Sequence, residues 1–171
     1  ATFAGIGLHS GNKVGLTLLP APAGTGLRFR RTDLEGKPEL EARVEHVIDT
    51  QRSTTLGKGS VKIHTVEHVL AALVGAGVDN AIVELDANEP PIADGSSQEF
   101  ARLIREAGVV AQTASREPYR ITTPIQLTVG ETIMAAFPHD GFRITCTSAD
   151  KGGRFTQHYR SEEHTSELQS H

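Results

Sequence analysis

Between residues 64 and 80 the chain reads HTVEHVLAALVGAGVDN, and Val66, Val69, Leu70, Leu73 and Val74 fall at the i, i+3, i+4, i+7, i+8 spacing of a helix with one buried face. This spacing predicts a helix over 65–76, with Thr65 as N-cap and Gly75 and Gly77 as its stop. A second helix is predicted over 97–107, where Ser96 and Glu99 have capping-box spacing and Phe100, Leu103, Ile104 and Ala107 make the apolar face. Gly108 follows as its C′ residue. The period shortens elsewhere. VGLTLL (14–19) and LRFRR (27–31) read as strands on either side of the turn-rich PAPAGTG, and NAIVELD (80–86) reads as a buried strand. The chain also opens on a strand-like stretch. STTLGKGSVKI (53–63) predicts a hairpin turning at Gly57-Lys58-Gly59, whereas ELEARVEHVI (39–48) fits strand and helix equally. EPPIADG (89–95) is a rigid loop whose Asp94-Gly95 turn leads to the second helix.

Past Gly108 the pattern changes. Residues 112–118, QTASREP, form a polar linker, and residues 119–150 alternate in strand fashion with turns at Gly130 and His139-Asp140-Gly141. The fold class that results is α+β: a two-layer domain of one sheet and two helices over 1–111, then the opening strands of a second α+β domain over 119–159, which is incomplete. Residues 160–171, RSEEHTSELQSH, have no apolar period and resemble the in-frame translation of a short-read sequencing adapter. They are set aside as foreign, as a fusion scar would be. The protein is then expected to continue past Tyr159, and Ala1 in place of Met suggests that its true N-terminus is also missing.

Composition narrows the function. Of the 171 residues 37% are hydrophobic and 22% charged, which supports a buried core. A net charge of −4 argues against nucleic-acid binding, which rests on clustered Lys and Arg. The tail carries one Arg and three Glu, so the rest of the chain stands at −2. One cysteine, Cys146, rules out an intrachain disulfide and a Cys-type zinc site, and fits a cytosolic setting. No apolar run approaches the roughly 20 residues of a membrane helix, and no signal peptide is evident.

The candidate chemistry lies at Glu67 and His68, adjacent at a helix start. A neutral histidine is a good zinc ligand, and a neighbouring carboxylate that is not a ligand can take a proton from a water that zinc has acidified. The plain alternative is a first-turn acid favoured by the helix dipole and a polar surface histidine. His64-x-x-Glu67-His68 also matches the H-x-x-E-H motif of a metallopeptidase class, which needs both histidines on one helix. His64 follows a strand and precedes the expected N-cap, which places it outside the helix.

Four motifs occur together and in order: GIGLHSG (5–11), DTQRSTTLG (49–57), TVEHVLAALVGAGVDN (65–80) and NEPPIADGSSQEF (88–100). Together they closely resemble the N-terminal domain of the zinc-dependent UDP-3-O-acyl-N-acetylglucosamine deacetylases of lipid A biosynthesis, over nearly all of 1–150. The resemblance implies two similar α+β domains with the active site between them, and removal of an N-acetyl group as acetate. It implies Glu67 as general base and His68 as the first Zn2+ ligand. Ser53, Thr54 and Thr55 match a stretch beside the cleft, and His9 matches a family histidine, so all four are candidate substrate contacts; strand-edge hydroxyls and a locally bonded turn residue are the alternatives. The implied partner is a UDP-linked acylated amino sugar. The implied setting is the cytoplasm, with peripheral contact at the inner membrane, and the complete enzyme is expected to be a monomer.

The chain departs from the family in one respect. The other two zinc ligands, a His and an Asp four residues apart on a second-domain helix, are absent, as is a later catalytic His. His139 has Arg143 four residues on, and His158 has Glu162, which falls in the suspected tail. Catalytic zinc needs three protein ligands, so this chain alone is expected to be inactive. A non-catalytic α+β interaction domain remains the alternative of a different class. The unfinished second sheet is expected to expose strand edges and favour aggregation.

Overall fold

The computed structural model describes residues 1–116, 118–149, 152 and 156–163. The chain forms two compact units, Ala1–Ser115 and Arg116–His171. The first is built on a five-stranded sheet whose strands lie side by side as β1 (Thr2–Ile6), β2 (Lys13–Pro20), β8 (Ala81–Leu85), β3 (Leu27–Arg31) and β4 (Glu39–Glu41). Pairing is antiparallel except between β3 and β8, which run parallel. That parallel pair needs a crossover, and the crossover carries a three-stranded sheet of β5 (Val47–Asp49), β6 (Thr55–Lys58) and β7 (Val61–Ile63), followed by α1 (Glu67–Gly75). After β8, α2 (Gln98–Ala107) packs against α1. The unit is α+β as expected, but it holds two sheets beside its two helices rather than one, because β5, β6 and β7 pair with one another and not with the five-stranded sheet.

Register turns the alternation of β2 and β8 into one apolar face. Leu18 pairs with Val83, Val83 with Phe29 and Phe29 with Leu40, so a row of buried side chains crosses four strands. Val66, Val69, Ala72 and Leu73 of the α1 segment and Phe100 and Ile104 of α2 join the same core. Each large apolar side chain among them contributes about 1.5–3 kcal/mol by leaving water. The opposite face is ionic. Arg28 meets Glu41 at 2.6 Å, and Arg30 bridges Glu39 and Glu84 across the neighbouring strands.

Several local expectations are corrected. The hairpin turns at Gly59-Ser60, not at Gly57-Lys58-Gly59. Gly59 has φ +59, whereas Gly57 lies inside β6, where a Cβ would overlap the Ile48 side chain. Thr65 is not the N-cap of α1; Val66 is, without a side-chain cap bond. Val74 and Ala107 are exposed, and Ala72 takes an inner place on α1 instead. The capping box does not close. Asp94 Oδ1 accepts from the Ser96 N–H and hydroxyl, Glu99 turns to Arg102, and Ser97 becomes the N-cap. The ambiguous 39–48 segment resolves into β4, a 3-10 turn at Val44–His46 and the start of β5.

The second unit contains two antiparallel hairpins, β9 (Ile125–Val129) with β10 (Thr132–Ala136) and β11 (Phe142–Ala149) with β12 (Thr156–Glu163). Residues 160–163 of the suspected foreign tail extend β12; residues 164–171 lie outside the described residues, as does residue 117 of the expected linker. No helix is long and apolar enough to cross a membrane among the described residues.

Candidate active site

The chain enters α1 through a sharp local bend. β7 ends at Ile63, the His64 N–H donates to the Asn88 carbonyl at 2.9 Å, and Thr65 adopts φ +55. A β-branched residue in that left-handed region is strained by about 1–3 kcal/mol, so its surroundings must hold it there. They do so from two sides. The Thr65 hydroxyl donates to Glu89 Oε1 at 2.7 Å, and the Val66 N–H reaches the Thr54 carbonyl at 3.3 Å. The Thr54 N–H in turn donates to Glu67 Oε2 at 2.9 Å. Glu67 is thereby fixed in the first turn of α1, where the helix dipole favours an anion. His68 follows it, half-buried.

The residues singled out in the sequence are joined through this bend. Thr54 holds Glu67 through its backbone, and Ser53 beside it is half-buried. Thr55 is 3% exposed and its hydroxyl shares a hydrogen bond with His64 Nδ1 at 3.1 Å, so in this structure it supports His64 from within. His9 is exposed, and its backbone N–H lies 3.1 Å from both oxygens of Glu89. His64 precedes α1, and the bend at Thr65 separates it from His68, so the two do not share a helix face as H-x-x-E-H requires. In the second unit His158 Nδ1 bonds the Thr147 hydroxyl at 2.9 Å.

Sequence reasoning missed Glu89. It is 1% exposed, and its carboxylate gathers the N–H groups of His9 and Ser10 with the hydroxyl of Thr65. Burial pushes its carboxyl up, but the Ser10 hydroxyl and N–H, the Thr65 hydroxyl and the His9 N–H outweigh this and hold it below the ordinary glutamate value. The one signal in the sequence was an acid placed beside Pro90-Pro91 in a loop expected to be rigid.

Among the described residues no group of three His, Cys, Asp or Glu can hold an ion. His68 brings one imidazole, and the adjacent Glu67 has its Oε2 engaged by the Thr54 N–H. A polar cleft lined by Lys13, Arg31, Lys62 and His64 opens beside β7 and does not include either residue.

The family model described as UDP-3-O-acyl N-acetylglycosamine deacetylase (LpxC) matches residues 1–169. The chain belongs to this family. A UDP-3-O-acyl-N-acetylglucosamine deacetylase from Idiomarina loihiensis is 51% identical over 141 residues, 82% of this chain and 46% of the relative. Proteins of the same name from Methylococcus capsulatus (49% over 143 residues, 84% of this chain and 47% of the relative) and Myxococcus xanthus (48% over 147 residues, 86% and 47%) match similarly. The chain thus spans about half the length of the curated relatives it matches.

Proposed function

We propose that the protein containing this chain hydrolyses the N-acetyl group of UDP-3-O-acyl-N-acetylglucosamine in lipid A biosynthesis, with Glu67 as general base and His68 as one ligand of a zinc ion. The observation that carries the reading is the Thr54–Glu67 hydrogen bond beside His68, within a chain 51% identical to a named deacetylase. A bound zinc ion supplies a Lewis acid for the acetamide carbonyl and a water of lowered pKa. Glu67 takes the proton of the attacking water at Oε1 while the Thr54 N–H holds Oε2 in place. Water and amide are consumed, and acetate and the amino sugar leave. The remaining ligands come from the part of the relatives that this chain does not span, and the chain alone is inactive. His9, Ser53, Thr54 and Thr55 are its candidate substrate contacts. The enzyme works in the cytoplasm as a monomer, touching the inner membrane peripherally. Residues 1–111 form its first domain, 112–118 the linker and 119–159 the start of the second, and 160–171 are foreign.

Steady-state kinetics on the full-length enzyme test this. Glu67→Gln is expected to lower kcat by about 10²–10⁴-fold, the range for a lost general base, with KM little changed. His68→Ala is expected to lose bound metal. Full activity in both variants would leave the interaction-domain reading in its place. DNA sequence past the Tyr159 codon tests the tail: a frame that continues into a helix with His and Asp four residues apart supports the reading, and a frame that ends there removes its metal.

A further inference from the structure

Glu89 is the only acid among the buried side chains of the described residues. A buried carboxylate is costly unless its charge is compensated, and here the compensation comes from neutral donors. Oε1 accepts from the His9 N–H at 3.1 Å and the Thr65 hydroxyl at 2.7 Å, and Oε2 from the Ser10 N–H at 2.7 Å and the His9 N–H at 3.1 Å. The loop that delivers His9 and Ser10 is itself closed by Gly7 N–H to Asn12 carbonyl and Gly11 N–H to Gly7 carbonyl bonds. Gly7 lets the carboxylate approach, since a Cβ there would overlap the Ser10 hydroxyl and stand 2.6 Å from Glu89 Oε2.

What this cradle holds is Thr65 in its left-handed conformation, two residues before Glu67 and three before His68. The bend at Thr65 sets where α1 begins and which way its first turn faces. Thr54 grips that turn from the other side, through Val66 and Glu67. We infer that Glu89 is a positioning residue for the Glu67–His68 pair, acting through Thr65, and that it ties the His9 loop to the same frame. This rests on the functional reading above. The need for a carboxylate follows from donor counting. Glutamine has one acceptor oxygen and two donors of its own, so the isosteric amide introduced by Glu89→Gln turns an N–H towards an N–H and breaks half the cradle.

The test uses the full-length protein and two readouts. In hydrogen exchange on the metal-free protein, Glu89→Gln is expected to speed exchange at the Thr54 and Val66 amides by about 10-fold or more, with Val83 in β8 unchanged, as local opening differs from global unfolding. In steady-state kinetics it is expected to lower kcat by about 10–100-fold with KM within about threefold, the scale of a misplaced catalytic group. Thr65→Val should act in the same direction, and Thr65→Ser, which keeps the hydroxyl, should lose less. If Thr54 and Val66 exchange as in the parent and kcat is unchanged in folded Glu89→Gln, the residue is a structural tie only and the inference falls. If Glu89→Gln does not fold, the Thr65 pair decides: equal kcat in Thr65→Val and the parent overturns the inference, and loss in Thr65→Val relieved in Thr65→Ser supports it. Glu67→Gln runs alongside. If it stays active, the functional reading fails while the exchange result still judges the cradle.

Discussion

The first unit and the second are written in the same alternating hand, yet their side chains meet different fates. In β2 every second residue is buried, and Val14, Leu16 and Leu18 enter the core. In β9 Ile125, Leu127 and Val129 alternate just as regularly, and all five residues of the strand are exposed. Alternation decides which face of a strand is apolar; it does not supply something to cover that face. In the first unit α1 and α2 do so. Among the described residues of the second unit there is no helix, and a two-stranded hairpin by itself is marginal in water.

The sharpest way to break this contrast is at Phe29, which is fully buried on the central row. Phe29→Ala is expected to cost about 3–5 kcal/mol, read from the urea midpoint of the chain. A loss below about 1 kcal/mol would mean that the row is not the folding core.

Gly7→Ala comes next. Its φ is ordinary, but the new methyl meets the Ser10 hydroxyl and the Glu89 carboxylate. Overpacking of this kind costs about 1–3 kcal/mol, and differential scanning calorimetry reads it. Gly75→Ala provides the contrast, because nothing lies within 4 Å of its Cβ position and the site is helical. It should stabilise by about 0.4–1 kcal/mol.

Acid should act on the first unit through the same cradle. Glu89 titrates below its ordinary value of 4.5 when folded, so its stabilisation is complete above that value and is lost as pH falls through the lower, folded one. Asp33 behaves alike below 3.8, with the Arg31 side chain as the main cause. Unfolding free energy measured from about pH 7 to about pH 3 should therefore fall at the acid end, and Glu89→Gln should flatten that fall. An unchanged slope in the variant would show that Glu89 binds protons equally in both states.

Legibility in the sequence divides along the same line between local and distant causes. β2, β3 and β8 follow from their own period, and so does the existence of both helices. The start of α1 does not, because a carboxylate 24 positions away takes the hydroxyl that local rules assign to capping. Ser96 and Glu99 had the spacing of a box and found nearer partners in Asp94 and Arg102. Glu67 and His68 were legible as candidates. Glu89 was not, since a loop acid reads as solvated until the fold closes over it.

The smallest expected effect makes the last test. Leu127 lies opposite Met134 on the exposed β9–β10 hairpin, on the face that also carries Ile125 and Val129. Leu127→Lys removes no buried contact, so the unfolding midpoint of the first unit should stay within about 0.5 kcal/mol of the parent. The same substitution should change association. An exposed apolar strand pair with open edges promotes self-pairing, and a lysine on it opposes that. On size-exclusion chromatography the parent chain should elute ahead of a monomer in a concentration-dependent way, and Leu127→Lys should elute later. A parent that runs as a monomer at every concentration would mean that the apolar face of the hairpin is covered in solution. The difference between the two units would then lie in what covers each sheet, not in whether one is covered.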